Sequence, residues 1–142
     1  FIPAYLQAGL GNGLPVMIPR GDADKYQRFG LDRDTAEAFS LMIIHYEEQG
    51  LPLLDNLVGM PLDKPENQLN LAKQLFNDLP AGITHFIIHP AVDTPELRAI
   101  APDWRSRVAN YQTFMSKEMK GVISSSGVHV IGYRHLKNLI VT

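Results

Sequence analysis

The sequence contains no cysteine, which excludes disulfides and thiolate metal sites but does not decide the compartment. Neither charge sign is in excess. Lys and Arg number 13 against 15 Asp and Glu, a formal net charge of −2, which leaves no electrostatic footprint for nucleic acid or an anionic membrane. No apolar run approaches the roughly 20 residues of a membrane span, and no basic segment followed by an apolar stretch opens the chain as a signal peptide would. Repeats, low-complexity tracts and linkers are also missing, so the chain reads as one continuous unit. What is present is 142 residues, 45% hydrophobic and 20% charged, enough to bury a core in one ordinary domain. The chain opens on Phe1 rather than Met, and we expect it to begin inside a longer gene product and to reside in the cytoplasm.

The punctuation alternates helix and strand. Phe1 to Leu10 reads as the end of a helix, with Gly9, Gly11 and Gly13 supplying turn geometry. Leu14 to Ile18 is a short apolar strand closed by Pro19-Arg20-Gly21. Asp34 and Glu37 form a capping-box pattern before a helix with Phe39, Ile43 and Tyr46 on one face and Gly50 at its end. Leu53 to Val58 is the second strand, and Pro65 starts a helix whose stripe is Leu69, Ala72, Leu75, Phe76 and Leu79. Ile83 to His89 is the third strand. Pro102-Asp103 introduces a helix carrying Trp104, Val108, Tyr111 and Met115, Ser116 caps another, and Val128 to Tyr133 is the last strand before a short helix with Leu136 and Leu139. Strands separated by helices predict an α/β fold with a parallel sheet. Four such units are half of a TIM-like β/α barrel, typically ~250 residues long. A half barrel leaves two strand edges open, so we expect a missing N-terminal half or a second copy of the chain to cover them.

The β-branched run ending in His89-Pro90 is the most informative segment. Pro90 has no N–H to give a ladder, so the strand should stop there and leave an ionisable imidazole at its carboxyl end. Ligands and catalytic side chains gather at that end in α/β sheets and barrels. The plainer alternative is a buried imidazole bonded to a loop carbonyl. His85 and His89 have the i, i+4 spacing of a helical zinc pair, but Ile83, Thr84, Phe86, Ile87 and Ile88 favour a strand, which separates the two by about 13 Å. They cannot share an ion. His85 at the amino end and His45 near a helix C-terminus read as structural, and nothing near His129 or His135 makes a site. Arg20, Asp55 or Asn56, and Tyr133 with Arg134 fall near strand exits, and with His89 they are expected to share one rim. Asp93 and Glu96 could pair as carboxylates, but Thr94-Pro95 favours helix-start chemistry, with Asp93 or Thr94 capping.

Three segments in order, LPAGITHFIIHPAVDTPELRAI, WRSRVANYQTFMS and SGVHVIGYRHLKNL, resemble the C-terminal half of the YdjC-like carbohydrate deacetylases, the group that includes the chitooligosaccharide deacetylases. The matching positions are Leu79, Pro80, Gly82, His89, Pro90, Glu96, Leu97, Arg98, Arg107, Ser116, Tyr133, Arg134 and Leu136. Departures are Asn110, where a glutamate is expected after Arg107, and Ala91 in place of a glycine. The chain also has no Asp-Asp pair.

The resemblance implies a hydrolase that removes acetyl groups from N-acetylated sugars or oligosaccharides. It would use a divalent metal, zinc or magnesium, whose ligands lie upstream of Phe1, so that this segment alone binds none and is inactive. His89 matches the position of the histidine that protonates the leaving amine, and Arg20 and Tyr133 are the candidate sugar contacts. The partner is then a carbohydrate substrate, not nucleic acid or membrane. Competing expectations are a small α/β module that holds a ligand without turning it over, and a deacetylase-like scaffold without activity.

Overall fold

Prolines, a bulge and the presence of a partner decide how much of each apolar run becomes strand. The computed structural model describes residues 1–140 and contains two strands, β1 (Asn56–Gly59) and β2 (Thr84–Ile87), paired in a two-stranded sheet. The first expected strand, Leu14 to Ile18, is instead an extended loop. Pro15 and Pro19 lack ladder donors, and what survives is one parallel bridge, Pro19 to Leu54, with Arg20 N–H on Leu54 O and Leu54 N–H on Ile18 O. The second strand begins late because both Asp55 and Asn56 donate to Ile83 O, at 2.8 and 3.1 Å. Two residues facing one is the signature of a bulge. The fourth, Val128 to Tyr133, is not a strand. Val130 and Ile131 are exposed, and Tyr133 already begins the last helix. The α/β class therefore stands with two parallel strands in place of the four expected.

Around them are eight helices among the described residues: α1 (Ile2–Gly11), α2 (Ala23–Arg28), α3 (Arg33–Glu48), α4 (Gln68–Asn77, entered through a 3-10 turn at Pro65–Asn67), α5 (Pro95–Ile100), α6 (Trp104–Met115), α7 (Lys117–Ser125) and α8 (Tyr133–Lys137). None is long and apolar enough to cross a membrane. The caps follow side-chain chemistry. Asp32, not Asp34, caps α3 by accepting Thr35 N–H, while Glu37 pairs with Arg33 instead of closing a capping box. Thr94 caps α5 and Ser116 caps α7. α2, unforeseen in the sequence, has its own signal in Asp22, whose carboxylate accepts Lys25 N–H.

Contacts divide the chain into two units. Unit 1 comprises Phe1–Leu57, Gly82–His85 and the segment from Val130 on. Its core is Leu6, Val16, Ile18, Tyr26, Ala36, Ile43, Leu51 and Leu53, with Tyr26 set edge-on to Phe39 at 4.6 Å. Unit 2 comprises Val58–Ala81 and Phe86–His129. There Met60, Ala72, Phe76 and Met119 are buried, with Leu69, Leu75, Leu79, Phe86 and Phe114 packed on them. The α4 stripe matches its periodicity. The α6 stripe does not: its buried side chains are Ser106, Asn110 and Thr113, whereas Tyr111 and Met115 are exposed.

Candidate functional site

That polar face of α6 holds the exit of β2. Positions 106, 110 and 113 recur at helical spacing, so one stripe of α6 presents an amide between two hydroxyls. Asn110, fully buried, accepts His89 N–H through Oδ1 at 3.1 Å and donates through Nδ2 to Gln68 Oε1. Gln68 is buried in turn, and its Nε2 donates to Pro61 O at 2.7 Å and Lys64 O at 3.1 Å. Two residues on, Ala91 N–H donates to Arg107 O at 3.2 Å. Pro90 has no N–H, so every backbone donor from 89 to 91 that exists is tied to α6.

His89 itself is half-buried, partly wetted and partly walled. Beside it, Arg107 grips Asp103 with two bonds, Nε–Oδ1 at 2.7 Å and Nη2–Oδ2 at 2.9 Å. The Arg107 bonds hold the Asp103 carboxyl below the usual carboxylate range, and the charge of His89 lowers it further. Past this point Arg98 chelates Asp93 with two bonds of 2.7 Å, and Thr94 caps α5. Asp93 is thus an ion-pair partner of Arg98, beside the expected cap rather than in a carboxylate pair. Trp104 is contacted by the guanidinium groups of Arg98, 4.8 Å from the ring centre, and Arg105, at 4.5 Å.

The other candidates belong to unit 1. Asp55 and Asn56 sit at the amino end of β1, because the bulge delays the strand until Asn56, so neither lies at a carboxyl rim as expected. The Asp55 carboxylate accepts Ile83 N–H at 2.7 Å and Arg20 Nε at 3.3 Å, and Arg20 Nη2 reaches Glu47 Oε1 at 3.2 Å. Lys25 Nζ closes the same corner on the carbonyls of Arg20 and Asp55. Gly82, at φ +112°, packs so close that a Cβ would meet Asp55 Oδ2 at 2.5 Å. Arg20 thus spans two carboxylates.

Tyr133 opens α8, and its hydroxyl lies 2.9 Å from His85 Nδ1. Burial pushes the Tyr133 phenol up, so a neutral hydroxyl faces the imidazole, as donor or acceptor according to the tautomer of His85. The residues expected to share one rim, Arg20, Asp55 or Asn56, His89 and Tyr133, are divided between the two units. Arg20, Asp55 and Tyr133 lie in unit 1, and His89 lies in unit 2.

The donor chemistry can be tested against the metal the resemblance implies. His85 is engaged by Tyr133, His45 is exposed beside Gln49, and His129 and His135 are exposed. Among the described residues no group of three or more His, Asp or Glu side chains could hold an ion, so these residues do not fit a metal centre. Unit 1 also carries an open apolar groove of about 450 Å³ lined by Ile2, Met17, Phe29, Leu31 and Phe39 among others. Its hydroxyls are already spent, Tyr26 on Pro19 O and Thr35 on Asp32.

Gln68 and Asn110 are the functional candidates that sequence reading missed. The signal was the polar i, i+4, i+7 series on α6, overlooked in favour of the apolar series that includes Tyr111 and Met115. No protein-family model and no curated protein sequence matches the chain.

Proposed function

We propose that this chain is the C-terminal part of a YdjC-like carbohydrate deacetylase, contributing later units of a TIM-like β/α barrel, and that His89 is its general acid. The observation that carries the reading is the setting of His89. It stands just past a parallel strand, its backbone tied on both sides of Pro90 to α6, with a half-buried imidazole left over. This supports the three ordered motifs on which the resemblance rests. In this reading the enzyme works in the cytoplasm, and its zinc or magnesium is held by residues preceding this segment.

The contribution of this chain is a proton. Water adds to the acetamide carbonyl, and the C–N bond can break only if the nitrogen leaves as an amine and not as an amide anion. An imidazolium at His89 gives its proton to that nitrogen as the bond breaks, leaving acetate and a free amino sugar. Imidazole suits the step, since its ordinary pKa of about 6.5 lets it hold and release a proton near neutrality.

The test is acetate release from N-acetylated oligosaccharides by the intact protein. His89→Ala is expected to lower turnover by about 10²–10⁴-fold, with metal content and thermal unfolding unchanged. Full activity in the variant would reduce His89 to a structural imidazole, and loss of the metal would make it a ligand. A wild-type protein that releases no acetate sinks the deacetylase reading.

A further inference from the structure

The buried amides behind His89 form a relay with a direction. Gln68 faces two carbonyls, Pro61 O and Lys64 O, which accept hydrogen bonds and cannot donate them. Its NH₂ must therefore point at them, and its Oε1 must point at Asn110. Asn110 has to answer with its own NH₂, which leaves Oδ1 for the His89 N–H. Each amide's orientation is fixed by the one before it. A carboxylate at 110 would set an oxygen against Gln68 Oε1. That accounts for an amide at a position where the resemblance leads one to expect a glutamate.

Two side chains, each buried to 2% exposure or less, thus end on one backbone N–H, and the residue carrying it presents a half-buried imidazole. Desolvating two amides is costly unless every bond is made. A purely apolar packing could fill the same space.

We propose that Gln68 and Asn110 are positioning residues for His89, fixing the peptide from which the imidazole projects so that it meets the leaving nitrogen. The inference rests on the deacetylase reading for its kinetic readout, while exchange of the His89 amide hydrogen tests the relay alone. Neither residue touches substrate. The loss is therefore expected in kcat, with KM within about threefold, because a misplacement of ~1 Å costs on the order of 10²-fold.

The experiment is a double-mutant cycle on the intact protein, reading acetate release with Asn110→Ala, His89→Ala and both together. Asn110→Ala alone should lower kcat by roughly 10–100-fold. In the His89→Ala background it should change kcat by less than about twofold, since a residue acting only through His89 has nothing left to act on. Gln68→Met, which leaves the Asn110 acceptor on the His89 N–H, should lose less than the alanine variant, and it takes over the cycle if the alanine variant does not fold. In parallel, the His89 amide should exchange slowly in the wild type and rapidly in Asn110→Ala. An Asn110→Ala effect of equal size in both backgrounds, or an unchanged kcat, overturns the proposal. If the wild type releases no acetate, the deacetylase reading fails and the exchange decides: protection lost on Asn110→Ala supports the relay, and an unprotected His89 amide in the wild type overturns it.

Discussion

Unit 1 buries ten apolar side chains and one polar one, Ser40, among the described residues, whereas unit 2 buries four apolar side chains, Met60, Ala72, Phe76 and Met119, and four polar ones, Gln68, Ser106, Asn110 and Thr113. The polar groups of unit 1 are used at its margin. Arg20, Asp55, Glu47 and Lys25 close a corner of loops, and the Ser40 hydroxyl takes the carbonyl of Gly21. Those of unit 2 lie inside, and the longest connected series among them leads to His89. Burial of polar groups lowers the return from a hydrophobic core, so their concentration behind one strand exit is better explained by what they hold than by stability. The contrast predicts that perturbing unit 1 changes stability and that perturbing the unit 2 relay changes turnover.

The largest expected effect on stability is at Gly82. An alanine there must adopt φ +112° and also put its Cβ 2.5 Å from the Asp55 carboxylate, which is held by Ile83 N–H and Arg20. Strain of this kind costs roughly 1–3 kcal/mol before any clash, so Gly82→Ala should lose roughly 2–4 kcal/mol in denaturant unfolding. The kcat of the folded fraction should stay near the wild-type value. A drop in kcat comparable to that of Asn110→Ala would erase the distinction between the units.

The next effect is alkaline. Burial, with the charges of Glu47 and Asp22 adding to it, pushes the Tyr26 phenol up to about 12. The unfolded phenol ionises near 10. A folded value above the unfolded one means that the contribution is complete below pH 10 and declines as pH rises towards 12, because the unfolded chain ionises first. Two units correspond to roughly 2–3 kcal/mol. Tyr26→Phe removes this titration along with the bond to Pro19 O, so its stability should fall less steeply between pH 10 and 12 than that of the wild type. Equal slopes would mean that Tyr26 is not the group that resists charging in this core.

Helices were more legible in the sequence than strands, for a physical reason. Helix ends are announced locally: Ser116 and Thr94 cap where their residue types say they should, and Gly50 closes α3 at φ +87°. A strand exists only where a partner does. The run Val128 to Tyr133 has the composition of a strand but no neighbour, and Leu14 to Ile18 has a neighbour but is bracketed by prolines. His89 could be picked out because a proline stop after a β-branched run is local. The polar 106, 110, 113 series marks the face of α6 that carries Asn110, but what makes Asn110 a candidate is Gln68, 42 positions away, a partner that no periodicity in α6 encodes. Asp55 and Asn56 were misplaced for a related reason, since the bulge at Asp55 delays the strand and leaves both at its amino end.

The smallest effect sharpens the comparison at the one imidazole of unit 1 that is tied to another element. Tyr133 keeps its proton because burial raises its pKa. Its hydroxyl lies 2.9 Å from His85 Nδ1, donating to it where the ring proton sits on Nε2 and accepting from it where the proton sits on Nδ1. A neutral bond of this kind is worth about 0.5–1.5 kcal/mol net. Tyr133→Phe should cost that much, by loss of a bond between β2 and α8. It should also let the His85 proton redistribute between the two ring nitrogens, visible as a shift of both imidazole nitrogens towards an averaged value in ¹⁵N NMR. The sign with pH follows from the raised phenol: the contribution is complete below about pH 10, where the unfolded tyrosine is neutral, and is lost above it. An unchanged tautomer in Tyr133→Phe would show that His85 is set by another neighbour. Tyr133 would then not be what holds the His85 imidazole, and the contrast between a histidine held by that hydroxyl and one left without a side-chain partner would have to be abandoned.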